Sequence, residues 1–116
     1  MKQVVSCVPQ LVKNGADPND CDSEGRTPLH CACFAGASKL VKALLRLEEV
    51  IKKKGGKKRR KKIVNLDMID HFGWTPLLVA IDRCKYECID CLLSKGADVE
   101  IAMPGGYTPL HIAVQR

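Results

Sequence analysis

Four residues recur three times along this chain. Thr27-Pro28-Leu29-His30 returns as Thr75-Pro76-Leu77-Leu78, and again as Thr108-Pro109-Leu110-His111. The second and third copies stand 33 residues apart. The first and second stand 48 apart, and the excess matches the 15-residue basic segment from Glu48 to Lys62. A fixed period constrains the fold more than any other sequence feature. Each unit must bury its apolar face on its neighbours, which gives a stacked array rather than one shared centre.

Further positions hold the register. A glycine precedes each tetrapeptide by two residues (Gly25, Gly73, Gly106), and an alanine follows its Thr by five (Ala32, Ala80, Ala113). Leu92-Leu93-Ser94-Lys95-Gly96-Ala97-Asp98 mirrors Leu11-Val12-Lys13-Asn14-Gly15-Ala16-Asp17, so the N-terminal apolar run reads as the second helix of an incomplete unit. The chemistry predicts helix, turn, helix. Thr is a good N-cap, because its hydroxyl accepts from an N–H that the helix leaves unpaired. Pro in the next position has a preset φ and lacks the N–H that goes unpaired there. Leu40, Val41, Leu44 and Leu45, then Cys88, Ile89, Leu92 and Leu93, give one apolar stripe on each second helix. Gly15 and Gly96 stand where such a helix ends in a left-handed residue.

A 33-residue unit reading Gly-x-Thr-Pro-Leu-His-x-Ala, then an apolar helix, then Gly-Ala-Asp, resembles the ankyrin repeat. The resemblance covers nearly the whole chain outside the insert. It implies an all-α solenoid of helix-turn-helix units with β-hairpin fingers, in which the Thr and His of the tetrapeptide tie loop to helix and repeat to repeat. The expected organisation is one domain, 1–116: a partial repeat 1–18, a repeat 19–66 carrying the insert 48–62, a repeat 67–99 and a partial repeat 100–116. Two departures stand out. Leu78 replaces His, so the hydrogen-bond link should be absent from the second copy, and Pro9 should kink or shorten the first helix. Neither end reads as a polar capping repeat, so a piece of a longer array is expected.

Charge separates the insert from everything else. The chain carries +6 overall, and residues 48–62 hold nine Lys or Arg against two Glu, a local +7. The remainder is close to neutral, unlike a nucleic-acid binder with basic residues striped across a face. No stretch approaches the roughly 20 apolar residues that span a bilayer. The segment Met1–Val12 only faintly imitates a secretory signal, since Gln3, Ser6, Pro9 and Gln10 interrupt its apolar run. Seven cysteines make an odd count, against a complete disulfide framework. A reducing, intracellular setting, cytoplasmic or nuclear, is therefore expected.

Candidate chemistry yields to repeat register. Cys84-x3-Cys88-x2-Cys91 has the spacing of a radical-SAM iron–sulfur motif. In register, however, these residues match Gly36, Leu40 and Ala43, where small or apolar residues belong, and free Cys behaves as a small hydrophobe. His30, Cys31 and Cys33 suggest zinc, but His30 belongs to the tetrapeptide and no second ligand pair follows at finger spacing. No catalytic pairing, metal or cofactor site is expected, nor a small-molecule substrate. Asp17, Asp22, Asp70 and Asp98 fall at turns, where Asp serves as a turn or cap residue.

What remains points to binding. The resemblance implies protein–protein recognition, as a scaffold or adaptor, through the fingers and the concave face. The second finger carries Met68, Ile69, Phe72 and Trp74, and the third Ile101, Met103 and Tyr107. Large apolar and aromatic residues on tips that should be largely exposed mark an interface. The insert, with Lys52, Lys53, Lys54, Lys57, Lys58, Arg59, Arg60, Lys61 and Lys62, should be disordered at its centre. Glu48 to Ile51 should extend the preceding helix, because Leu44, Leu47, Val50 and Ile51 keep helical spacing. The reader expected for this cluster is a nuclear import receptor. The alternative is nucleic acid or anionic lipid, though aromatic interleaving for base stacking is absent.

Overall fold

Each tetrapeptide starts a helix, as its chemistry requires. In the computed structural model, which describes residues 2–54 and 64–116, α2 (Pro28–Ala35), α4 (Pro76–Asp82) and α6 (Pro109–Gln115) all have Pro in the first turn and Thr as N-cap. Thr27, Thr75 and Thr108 each accept from the backbone N–H three residues on. The longer helices that alternate with them are α1 (Lys2–Lys13), α3 (Ser38–Lys54) and α5 (Tyr86–Ser94). The set forms a two-layer stack. α2, α4 and α6 lie side by side in one layer, α1, α3 and α5 in the other, and α2 pairs with α3 as α4 pairs with α5.

The helices stop by one device. After α1, α2 and α5 comes a glycine with positive φ, and its N–H and that of the next residue donate back to carbonyls of the last turn, as in Gly96 to Leu93 and Ala97 to Leu92. After α4 the same two bonds form, from Cys84 to Ile81 and Lys85 to Ala80. Cys84 takes the left-handed conformation there (φ 56°), alone among the described non-glycine residues.

The core lies between the layers. Leu29, Ala32, Cys33, Val41, Leu44, Leu45, Leu77, Ala80, Cys88 and Leu92 form one buried cluster. Each fully buried aliphatic side chain contributes about 1.5–3 kcal/mol. Both ends of the insert are anchored in this cluster, through Leu47 before it and Val64 after it.

Three expectations need correction. The fingers form no strands among the described residues. Each is a tight turn closed by two backbone bonds, one from Asp22 to Arg26, Asp70 to Trp74 or Met103 to Tyr107 and one from Gly25, Gly73 or Gly106 back to the first of these residues, and five residues are too few for a ladder. Of the kink or shortening expected at Pro9, the shortening is absent, since α1 runs through it to Lys13; Pro removes a single helical bond, and Val8 and Val12 pack against the core. Leu93, placed in the buried stripe, is 44% exposed. The helical extension through Glu48–Ile51 is present and continues to Lys54. The side chains of Lys52–Lys54, the residues Lys57–Lys62, and the expected disorder of the insert's centre lie outside the described residues.

Candidate functional site

The fingers are built from short-range polar contacts. In the first, the Asp22 carboxylate accepts from the backbone N–H groups of Glu24 and Arg26, both at 2.9 Å, and pairs with the Arg26 guanidinium at 3.1 Å. The Arg26 N–H leads in holding the Asp22 carboxyl below its ordinary range. Asp70 repeats this in the second finger, accepting from Phe72 and Trp74 at 2.9 Å each. The third finger has Met103 at that register and lacks the carboxylate. Asp17 and Asp98 also act as turn acceptors, for Asn19 at 2.9 Å and Glu100 at 2.8 Å.

Neighbouring fingers interlock. The His71 N–H donates to the Glu24 carbonyl at 3.0 Å, and Gly25 lies so close that a Cβ there would meet the His71 ring at 2.5 Å. Gly73 faces Pro104 in the same way, at 2.2 Å. His30 links finger to helix and unit to unit. Its Nδ1 accepts from the Thr27 N–H at 3.1 Å, which leaves the proton on Nε2, and Nε2–H donates to the Trp74 carbonyl at 2.7 Å. Leu78 is fully buried and its side chain makes no such link, as the substitution predicts.

Against this frame lies a cleft of about 400 Å³ between the first two fingers and the open faces of α2 and α4. Phe72 and Trp74 line it from the finger, Phe34 and Cys31 from α2, and Val79 and Asp82 from α4, with Arg83 just beyond. Phe34 and Phe72 are more than half exposed. The Arg83 guanidinium stacks over the Phe34 ring, 4.7 Å from its centre, and Asp82 pairs with Arg116. The floor is thus apolar and aromatic, with charged groups around it.

The expected interface residues divide. Ile69, Phe72 and Tyr107 are exposed, whereas Met68, Trp74, Ile101 and Met103 are half-buried, so the tips are less open than expected. Phe72 and Trp74 meet in the cleft; the other five do not line it. Phe34 and Arg83 were missed because they lie on or next to helices read as structural. Their signal was available: seven and eight residues past the cap, these positions turn away from the second-helix layer. Among the tetrapeptide residues, Leu29 and Leu77 are core, but Leu110 is 74% exposed.

The cysteines follow register. Cys33 and Cys88 are buried, and Cys91 is half-buried beside them. Burial pushes both the Cys33 and Cys88 thiols above their ordinary value, and neighbouring thiols add to the effect. Among the described residues no group of three or more His, Cys, Asp or Glu is arranged to hold a metal ion, and no helix is long and apolar enough to cross a membrane.

Comparison with known proteins places this geometry. The family model for ankyrin repeats in three copies matches residues 1–101 and 59–116. Ankyrin repeat protein nuc-2 of Neurospora crassa is 32% identical over 105 residues, 90% of this chain and 8% of that protein. Ankyrin repeat protein OPG189 of variola virus is 29% identical over 104 residues, 90% of this chain and 16% of that protein. Neurogenic locus notch homolog protein 1 of Mus musculus is 32% identical over 104 residues, 90% of this chain and 4% of that protein. The chain therefore spans only a small part of the curated relatives it matches.

Proposed function

Because the chain belongs to the ankyrin-repeat family, whose repeats are in general non-catalytic protein–protein interaction modules, we propose that it binds a partner protein across the second and third fingers and the adjoining cleft. The observation that carries this reading is the aromatic floor. Phe34 and Phe72 keep more than half their surface in water although the stack has a core available to apolar residues. Exposed aromatics beside a rigid concavity are anchor positions. The partner contributes aliphatic or aromatic side chains to the floor, and Arg83 contacts its rim. Tyr107 and Ile69 extend the contact along the finger row. The role is that of a scaffold or adaptor inside the cell.

A pull-down with the chain as bait identifies the partner, and titration then ranks the anchors. Phe34→Ala, Phe72→Ala and Tyr107→Ala are each expected to cost about 2 kcal/mol or more of affinity. Unchanged affinity in all three folded variants would overturn the assignment. A second reading gives the insert its own ligand, a nuclear import receptor or, failing that, nucleic acid or anionic lipid. Its support is the +7 charge of residues 48–62. Salt separates the modes: contact with a polyanion weakens steeply as salt rises, through counterion release, while the aromatic cleft responds little.

A further inference from the structure

The charges around the cleft are sorted between its two ends. At the finger end, Asp20–Arg26 and Met68–Trp74 carry three Asp and one Glu against a single Arg. That Arg is Arg26, which Asp22 already engages at 3.1 Å. The Glu is Glu24, which lines the cleft, and its exposed carboxylate accepts no hydrogen bond among the described residues. At the other end Asp82 is paired with Arg116, and Arg83 is left over. The Arg83 guanidinium lies over the Phe34 ring, 4.7 Å from its centre, and among the described residues it donates to no carboxylate or carbonyl. Lys85, whose stem lies against Gly36 at the end of α2, adds positive charge there.

The helix sets the spacing of these two poles. Arg83 stands eight residues past the Thr75 cap, so the rise of α4 carries it about 12 Å from the finger end. The aromatic floor lies between, with Phe72 and Trp74 towards the fingers and Phe34 beneath Arg83. An extended chain covers about 13 Å in four residues and turns alternate side chains to one side. A helix, about 10–12 Å across, is too broad for a cleft of about 400 Å³.

We propose that the cleft takes an extended segment of the partner protein that carries a basic, a large apolar and an acidic residue at alternate positions. The basic residue faces Glu24, the apolar one fills the floor, and the acidic one pairs with Arg83. Contact with Phe34 restrains the guanidinium before the partner arrives, which lowers the ordering cost of pairing it with a carboxylate. The inference rests on the cleft being the partner site, and adds the order of charges that this site selects.

The test is selection of displayed short random peptides on the immobilised 116-residue chain. Enriched sequences are expected to carry an aromatic or large aliphatic residue, with Asp or Glu two places to one side and Lys or Arg two places to the other. Arg83→Glu is expected to exchange the acidic position for a basic one, and Glu24→Lys the basic position for an acidic one. Both residues are exposed, and circular dichroism checks the fold; Arg83→Gln, which should erase the acidic preference, stands in if Arg83→Glu unfolds. A synthetic peptide from the enriched pool is then titrated through the emission of Trp74, the single tryptophan, and is expected to bind Arg83→Glu at least about tenfold more weakly than wild type. Apolar sequences with no charge preference, or a preference that Arg83→Glu leaves unchanged, would overturn the charge order while the cleft stands as the partner site. Enrichment of nothing, or of sequences that bind Phe34→Ala and Phe72→Ala equally well, would remove the cleft reading and this inference with it.

Discussion

Cys84 occupies a conformation that its side chain opposes. A non-glycine residue in the left-handed region costs about 1–2 kcal/mol, and glycine gives back part of that advantage through its freer unfolded chain. Cys84→Gly, which restores the residue found at Gly36, is expected to stabilise the protein by about 0.5–1 kcal/mol, read as a higher urea midpoint with unchanged slope. The opposite sign is expected at His30. His30→Leu removes one of the two donors to the Trp74 carbonyl, which keeps the Asp70 N–H, and leaves the buried Thr27 N–H without its acceptor, at about 1–3 kcal/mol, measured in the same titration. Both features were legible in part. Cys84 aligns with Gly36, and His30 belongs to the recurring tetrapeptide. The carbonyl that His30 reaches depends on backbone geometry in a neighbouring unit, which one sequence does not display.

At the scale of elements, helices were more legible than fingers. Helix starts are local events, set by Thr, Pro and the next few residues, so α2, α4 and α6 begin where the tetrapeptides predict. Fingers are shaped by contact between units. The glycine two residues before each cap marks a turn in sequence, but only the fold reveals that Gly73 also gives way to Pro104. Gly73→Ala therefore combines a disfavoured φ of 88° with a collision against the Pro104 ring, and is expected to cost at least about 1 kcal/mol. Hydrogen exchange of the third finger should accelerate in this variant, while that of the first finger stays unchanged. The candidate site was half legible for the same reason. Phe72 and Trp74 announce themselves as aromatics in a loop. Phe34 sits inside a helix whose apolar content looked fully explained by packing.

At the scale of the molecule, two buried thiols set a limit on the alkaline side. Burial holds the Cys33 and Cys88 thiols protonated in the folded state above the ordinary value of 9.0, whereas the unfolded chain releases those protons near it. The unfolded state then binds fewer protons than the native state, so stability falls as pH rises above about 9. Cys33→Ala is expected to flatten that slope, in urea midpoints compared at neutral pH and above 9, although its smaller side chain lowers stability at neutral pH. Removing Glu48 to Lys62 takes away the last two turns of α3 and the segment after it, and is expected to leave the thermal midpoint nearly unchanged, because Leu47 and Val64 remain to anchor both ends in the core. If the import reading holds, the same deletion shifts a fluorescent fusion out of the nucleus.

The burial of Leu47 and Val64 has a consequence for engineering. Both sit in the common core, so the two ends of the basic segment are held by the fold and not by the sequence between them. The stack is then a ready-made display frame. An epitope, a protease site or a peptide tag grafted between these two residues inherits a fixed pair of attachment points, and screening such grafts requires no redesign of the surrounding repeats.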